Sequence, residues 1–86
     1  MDNVTFSRKA LAQFKEWVHE DIKTVDKIYG LIEDILRNGP AKGIGKPERL
    51  KHENGWSRRI DDTNRLVYSI ENDNLIIRRC KGHYGD

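Results

Sequence analysis

Eighty-six residues, 36% hydrophobic and 35% charged with a net charge of +2, describe one lean globular domain over 1–86, since a chain this short buries only about 60% of its unfolded surface but is too apolar for disorder. The single cysteine, Cys80, excludes an intrachain disulfide, and no Cys pair or Cys/His cluster has zinc-ligand spacing, so neither a metal nor a cofactor is expected. No apolar run approaches the roughly 20 residues of a membrane span, and the charged start Met1-Asp2-Asn3 is no signal peptide, which excludes a membrane partner and makes a reducing cytoplasm the expected compartment.

In chain order, Asn3 to Phe6 reads as a short strand ended by Ser7, a helix cap. Leu11, Phe14 and Val18 follow at helical spacing with Ala10 and Trp17 alongside. Asp21 caps a second helix whose stripe is Ile22, Val25, Tyr29, Ile32 and Leu36, with Ile28 and Ile35 beside it. Both stripes are expected in the core. Asn38-Gly39-Pro40 stops this helix and opens a Gly/Pro-rich loop through Pro47. Gly43-Ile44-Gly45-Lys46 lacks the spacing of a nucleotide-binding phosphate loop, yet it carries Lys46 and opens into Glu48 and so can border a substrate groove.

Beyond the loop the period changes to alternation. Glu48 to His52, Trp56 to Ile60, Arg65 to Ile70 and Leu75 to Cys80 read as strands separated by short turns, which implies an antiparallel meander. The fold class is therefore α+β: an antiparallel sheet of about four to five strands against two N-terminal helices. Alternation puts Leu66, Tyr68 and Ile70 on the helix-facing side and Arg65, Val67 and Ser69 on the other; Trp56, Arg58 and Ile60 oppose Ser57 and Arg59, which makes Arg59 an open-face neighbour of Arg65. For Arg78 and Arg79 alternation alone leaves the facing open.

Charge gathers in the same region. Residues 1–42 balance seven Lys/Arg against seven Asp/Glu, whereas 46–59 set Lys46, Arg49, Lys51, Arg58 and Arg59 against Glu48 and Glu53 only. That bias suits a polyanion site as well as a solvated sheet face. Glu48, His83 and the arginines supply the group types that metal-free phosphodiester cleavage requires: a carboxylate base, an imidazole acid and guanidinium groups for growing charge. Each also has a plain structural use. Glu48 can pair with Lys46 or Lys51, Arg65 can brace Asp61 or Asp62, and His83-Tyr84 can be a frayed tail.

Gly45-Lys46-Pro47-Glu48, Leu50-Lys51-His52, Trp56-Ser57-Arg58-Arg59-Ile60, Arg65-Leu66-Val67-Tyr68 and His83-Tyr84, taken in this order, resemble the YoeB/Txe branch of the RelE-like toxins of bacterial type II toxin–antitoxin systems, across nearly the whole chain. The resemblance implies a RelE-like, microbial ribonuclease-like fold and a ribosome-dependent endoribonuclease acting on translated mRNA without a metal. By motif position it makes Glu48 the general base, Arg65 the phosphate-stabilising arginine, His83 the general acid and Tyr84 its neighbouring tyrosine, with Lys51 and Arg59 as supporting basic residues. The implied partners are the ribosome with its mRNA, a cognate antitoxin, a second copy in a homodimer, and operator DNA only through the antitoxin complex. Three departures stand out: Arg49 where proline is common, Asn64 where a histidine often precedes the arginine, and Gly85-Asp86 after the tyrosine. A non-catalytic RNA-binding sheet using Trp56, Arg58, Arg59 and Arg78, or a purely interacting and autoregulatory protein, are the alternatives.

Overall fold

The computed structural model describes residues 1–82, so His83, Tyr84 and the Gly85-Asp86 extension lie outside the described residues. Strand β1 (Asn3–Phe6) leads into helices α1 (Arg8–Glu20) and α2 (Ile22–Asn38), followed by β2 (Glu48–Arg49), β3 (Trp56–Arg59), β4 (Arg65–Glu71) and β5 (Asn74–Arg79). The sheet order is β1-β5-β4-β3-β2. Strands β2 to β5 form the expected antiparallel meander, but β1 pairs with β5 in parallel, because the two helices carry the chain over the sheet before it returns. The sheet is therefore mixed. Strand β2 is shorter than its alternation implied, the chain turning away after Leu50.

Local chemistry sets the boundaries. Ser7 caps α1 by accepting from Ala10 N at 3.0 Å, and its hydroxyl donates to Arg78 O at 2.8 Å, tying the helix start to β5. Asp21 ends α1 through its N–H to Trp17 O and starts α2 by accepting from Lys23 N, so one residue turns the chain between the helices. Asn72 and Asp73, with φ of 51° and 63°, make the two-residue turn between β4 and β5, the left-handed pair that matches the twist of a tight hairpin.

The core lies between the helices and one sheet face, where Ile28, Leu31, Ile35, Leu66, Tyr68, Leu75 and Ile77 are fully buried. The helix stripes are rotated from their expected centres. In α2 the sheet meets Ile28, Leu31, Ile32 and Ile35, while Ile22 and Tyr29 are exposed; in α1 it meets Ala10 and Trp17, while Leu11 and Val18 are exposed. Apolar residues cover so much of each circumference that two overlapping stripes fit the same period, and only the sheet selects between them. Trp17 Nε1 donates to Cys80 O at 2.8 Å.

Arg58 also lies on the core face and is wholly buried. Its Nε donates to Tyr68 Oη at 2.9 Å, Nη1 to Asp34 and to Ile44 O, and Nη2 to Gly39 O and Lys42 O. Tyr68 Oη in turn donates to Pro40 O at 2.7 Å. The guanidinium thus holds the 39–47 loop against the end of α2, and Arg58 cannot serve as a phosphate contact on an open sheet. Removing one member of a buried, hydrogen-bonded ion pair strands its partners. Arg58→Met is expected to cost about 3–5 kcal/mol of unfolding free energy in denaturant titrations; a loss below about 1 kcal/mol would mean that the loop is held by other contacts.

Candidate functional site

The open face of the sheet assembles around Arg65. In the β2–β3 ladder Glu48 stands opposite Ser57, and in the β3–β4 ladder Ser57 stands opposite Val67 and Arg59 opposite Arg65. Glu48, Ser57, Arg59 and Arg65 therefore share the face turned away from the helices, as alternation required. Arg65 Nε donates to Ser57 Oγ at 3.0 Å. With that edge fixed, Nη2 lies 3.9 Å from Glu48 Oε2. Nη2 is buried and has no hydrogen-bond partner among the described residues, whereas the Glu48 side chain is 68% exposed. A guanidinium with one edge fixed and a donor unspent can receive an anion beside that open carboxylate.

The approach to Glu48 is set by the preceding loop. Gly45 O accepts from Arg59 N at 2.7 Å, and a Cβ on Gly45 would come within 2.9 Å of Leu31 Cδ2 and 3.1 Å of Arg58 Cβ. At φ 82° this position also favours glycine. Lys46 follows at φ 50° and is exposed, directly ahead of Pro47 and Glu48. Arg49, where proline is common in the resembling family, stands opposite Trp56 with its guanidinium carbon 5.4 Å from the ring centroid. This departure adds a cation–π contact to the short edge strand.

Lys51 is exposed in the β2–β3 loop. That loop folds across the open face: Glu53 accepts from Arg79 Nη2 at 2.8 Å and lies 3.9 Å from Arg78 Nε, with Leu50 and Val67 buried. Val67 is thus covered, although its side of the sheet was expected to be open. A register shift explains how Arg79 reaches it. Tyr68 pairs with Ile77 but Val67 pairs with Arg79, so Arg78 is an extra residue in β5, and the alternation of Arg79 and Cys80 is reset. Arg78 pairs with Glu71 as well as Glu53.

Beyond the bulge, the chain returns to Arg65. Arg65 N donates to Gly82 O at 3.1 Å, and Gly82 N donates to Asn64 Oδ1 at 2.8 Å. Gly82, the last described residue, is therefore fastened at the edge of the Glu48–Arg65 site; His83 and Tyr84, the expected acid and its neighbour, lie outside the described residues. Glu48 pairs with neither Lys46 nor Lys51 in this geometry, and Asp61 accepts from its own turn at Thr63 N and Asn64 N rather than bracing Arg65. Ser57 stands within a motif run and Asn64 as a departure, but motif reading gave neither a role at the site. The signal for Ser57 was the register, which sets it diagonal to Arg65 on one face.

Other reactive groups are committed elsewhere. Burial pushes the Cys80 thiol up to about 11, which suits a packed side chain rather than a nucleophile. Among the described residues no three His, Cys, Asp or Glu side chains gather to hold a metal ion, and no helix is long and apolar enough to cross a membrane. An apolar groove of about 450 Å³, lined by Val4, Phe6, Leu11, Phe14 and Tyr29 among others, lies between β1 and the helices, at the opposite edge of the sheet from β2.

Comparison with known proteins decides the family. A family model described as the YoeB-like toxin of bacterial type II toxin–antitoxin systems matches residues 6–84. The chain belongs to this family. It is 45% identical over 83 residues to the toxin YoeB of Streptomyces coelicolor, covering 94% of this chain and 98% of that one. Among solved structures, YoeB in a heterotetrameric YoeB–YefM toxin–antitoxin complex from Staphylococcus aureus superposes with a TM-score of 0.88 at 44% identity, covering 95% of this chain and 97% of that one. The YoeB dimer from the same organism superposes with a TM-score of 0.89 at the same identity and coverage.

The loops beside the Glu48–Arg65 pair are held through carboxylates, Glu53 for the β2–β3 loop and Asp34 for the 39–47 loop. The Arg79 hydrogen bond, opposed by burial, holds the Glu53 carboxyl below its ordinary 4.5, and the Arg58 hydrogen bond likewise holds Asp34 below 3.8. Groups with depressed folded-state pKa values contribute stability that is complete above their unfolded values and is lost as pH falls through the folded ones. Unfolding free energy is therefore expected to hold from about pH 7 to 5 and to fall below about 4.5. Glu53→Gln should make that fall shallower, and an unchanged slope would show that the Glu53–Arg79 contact contributes nothing.

Proposed function

We propose that this chain is a ribosome-dependent endoribonuclease that cleaves translated mRNA, and that its site comprises Glu48, Arg65, His83 and Tyr84 with Lys46, Lys51 and Arg59 around them. The observation that carries the reading is the Glu48–Arg65 pair on the open sheet face, with Arg65 braced by Ser57 and its Nη2 unpartnered. The family resemblance supplies the roles.

In the proposed reaction Glu48 removes the proton of an RNA 2′-hydroxyl. The 2′ oxygen forms a bond to the adjacent phosphorus, the bond from phosphorus to the 5′ oxygen breaks, and His83 gives its proton to that leaving oxygen. The products are a 2′,3′-cyclic phosphate and a 5′-hydroxyl. Arg65 meets the phosphate where negative charge grows, and each well-placed acid or base contributes roughly 10²- to 10⁴-fold. The exposed Lys46, Lys51 and Arg59 would meet flanking phosphates. A shallow face does little to orient a flexible strand, so the ribosome, holding mRNA in one path, supplies the orientation. An activity on translated mRNA would be carried out in the cytoplasm.

Partners follow from the relatives. A cognate antitoxin is proposed to neutralise this chain, as the S. aureus complex suggests, and a second copy to form a homodimer, as in the S. aureus dimer; operator DNA would be reached only through the antitoxin complex. The exposed apolar side chains beside the β1 groove, Val4, Leu11 and Tyr29, offer protein partners a surface away from Glu48. A non-catalytic RNA-binding sheet is less well supported. Of its four residues, Arg58 is buried, Arg78 is paired with two glutamates and Trp56 is half-buried beside Arg49.

Mapping 5′ ends on a translated message tests the activity: cuts should appear with the protein and require translation. Glu48→Gln should lower cleavage by at least about 10² while folding normally, because its exposed ion pair contributes little to stability. Arg65→Lys should also be impaired, since a point charge cannot hold Ser57 and a phosphate at once. Wild-type cleavage by Glu48→Gln would remove Glu48 from the mechanism, and the same result for Arg65→Lys would make Arg65 structural.

A further inference from the structure

The junction between the β3–β4 turn and β4 fastens two things at once. Residue 65 presents the guanidinium of the site, and residue 64 holds the chain where it leaves toward position 83. Gly82 is bonded through both of its backbone groups, N–H to Asn64 Oδ1 at 2.8 Å and C=O from Arg65 N at 3.1 Å. Its φ of 95° is one that a side-chain-bearing residue rarely adopts. The carbonyl to which residue 83 is joined is therefore fixed relative to Arg65.

Asn64 is itself held in one orientation. Its Nδ2 donates to Asp61 Oδ1 and Oδ2 at 3.2 and 3.1 Å, and its N–H donates to Asp61 Oδ1 at 2.6 Å. Its carbonyl oxygen accepts from Ile60 N and Asp61 N at 2.9 and 3.2 Å. A flipped amide would set an oxygen against the Asp61 carboxylate and an NH₂ against the Gly82 N–H, two repulsive contacts in place of attractive ones. The side-chain oxygen is thus committed to Gly82.

We propose that Asn64 is a positioning residue for the general acid, its side-chain carbonyl holding Gly82, the residue to which the acid is joined, beside the Arg65 that meets the phosphate. The inference rests on the acid–base reading above. An acid displaced by about 1 Å can lose about 10²-fold. Loss of a single tether, with the Arg65 N–H to Gly82 O bond remaining, is expected to cost about 10-fold in kcat and little in KM.

The test uses the leaving group. A synthetic message with sulfur in place of the bridging 5′ oxygen at the mapped cut site releases a thiolate, which needs no proton to depart because a thiol pKa is near 8.5. On the oxygen substrate Asn64→Ala should be slowed about 10-fold and His83→Gln more; on the sulfur substrate both should approach the wild type. Glu48→Gln should stay impaired on both. Asn64→His, whose neutral Nδ1 can accept from Gly82 N–H, should restore oxygen cleavage to within about threefold. Should Asn64→Ala not fold, Asn64→Leu serves in its place. An Asn64 variant slowed equally on both substrates, or on neither, would overturn the proposal while leaving the acid–base reading intact. Wild-type oxygen cleavage by His83→Gln would overturn the acid assignment itself and the inference with it.

Discussion

Every N–H of the Arg58 guanidinium is spent inside the fold. Five donors meet Tyr68 Oη, Asp34, and the carbonyls of Gly39, Lys42 and Ile44, so a charge with no exposure to solvent is both neutralised and hydrogen-bonded. Such a group is tolerated only when fully paired, because an unpaired buried charge is costly. The consequence reaches the open face. A loop rich in glycine and proline has few side chains with which to define itself, and here its carbonyls are gathered by a side chain from β3. Gly45 is then pressed against β3, and the chain enters β2 with Glu48 opposite Ser57. The position of the proposed base thus depends on an arginine that never sees the substrate.

A second constraint acts from the other end of the chain. The extra residue at Arg78 changes which side chains face where, so Arg79 joins Glu53 over Val67 while Cys80 drops into the core beside Ala10 and Trp17. Without that bulge, strict alternation would turn Arg79 toward the helices and Cys80 away from them. Gln13 accepts from Cys80 N at 2.7 Å, and Lys81 bridges Glu16 and Glu20. Helix α1 and the β3–β4 turn therefore hold the segment before position 83 from two sides. In a small domain with a thin core, polar ties of this kind supply order that apolar burial alone does not.

Much of this was legible in the sequence. The helix caps Ser7 and Asp21, the end of α2, the meander and the shared face of Ser57, Arg59 and Arg65 follow from local chemistry and a period of two. The helix faces did not follow, because Leu11, Val18, Ile22 and Tyr29 satisfy helical spacing as well as the residues the sheet covers. Nor did the parallel pairing of β1, which depends on where two helices return the chain. Alternation placed Arg58 beside Trp56 and Ile60, but charge composition argued for solvent, and only the five partners from the loop, α2 and β4 resolve that conflict. The bulge at Arg78 had no sequence signal beyond the ambiguity of the strand itself.

Arg58 and Arg65 show how one sheet can use the same side chain in opposite ways. On the helix side all donors are met and the residue is structural. On the other side Ser57 fixes Nε, while Nη2 is buried without a hydrogen-bond partner among the described residues. An unmet buried donor costs about 1–3 kcal/mol, and Glu48 at 3.9 Å offsets only part of that because it is open to water. A phosphate oxygen at Nη2 would relieve that cost in the bound state alone, which favours anion binding without requiring the protein to rearrange. The shortfall is placed beside Glu48, the carboxylate that the 39–47 loop delivers to that face, so an anion drawn to Nη2 would stand next to the proposed base.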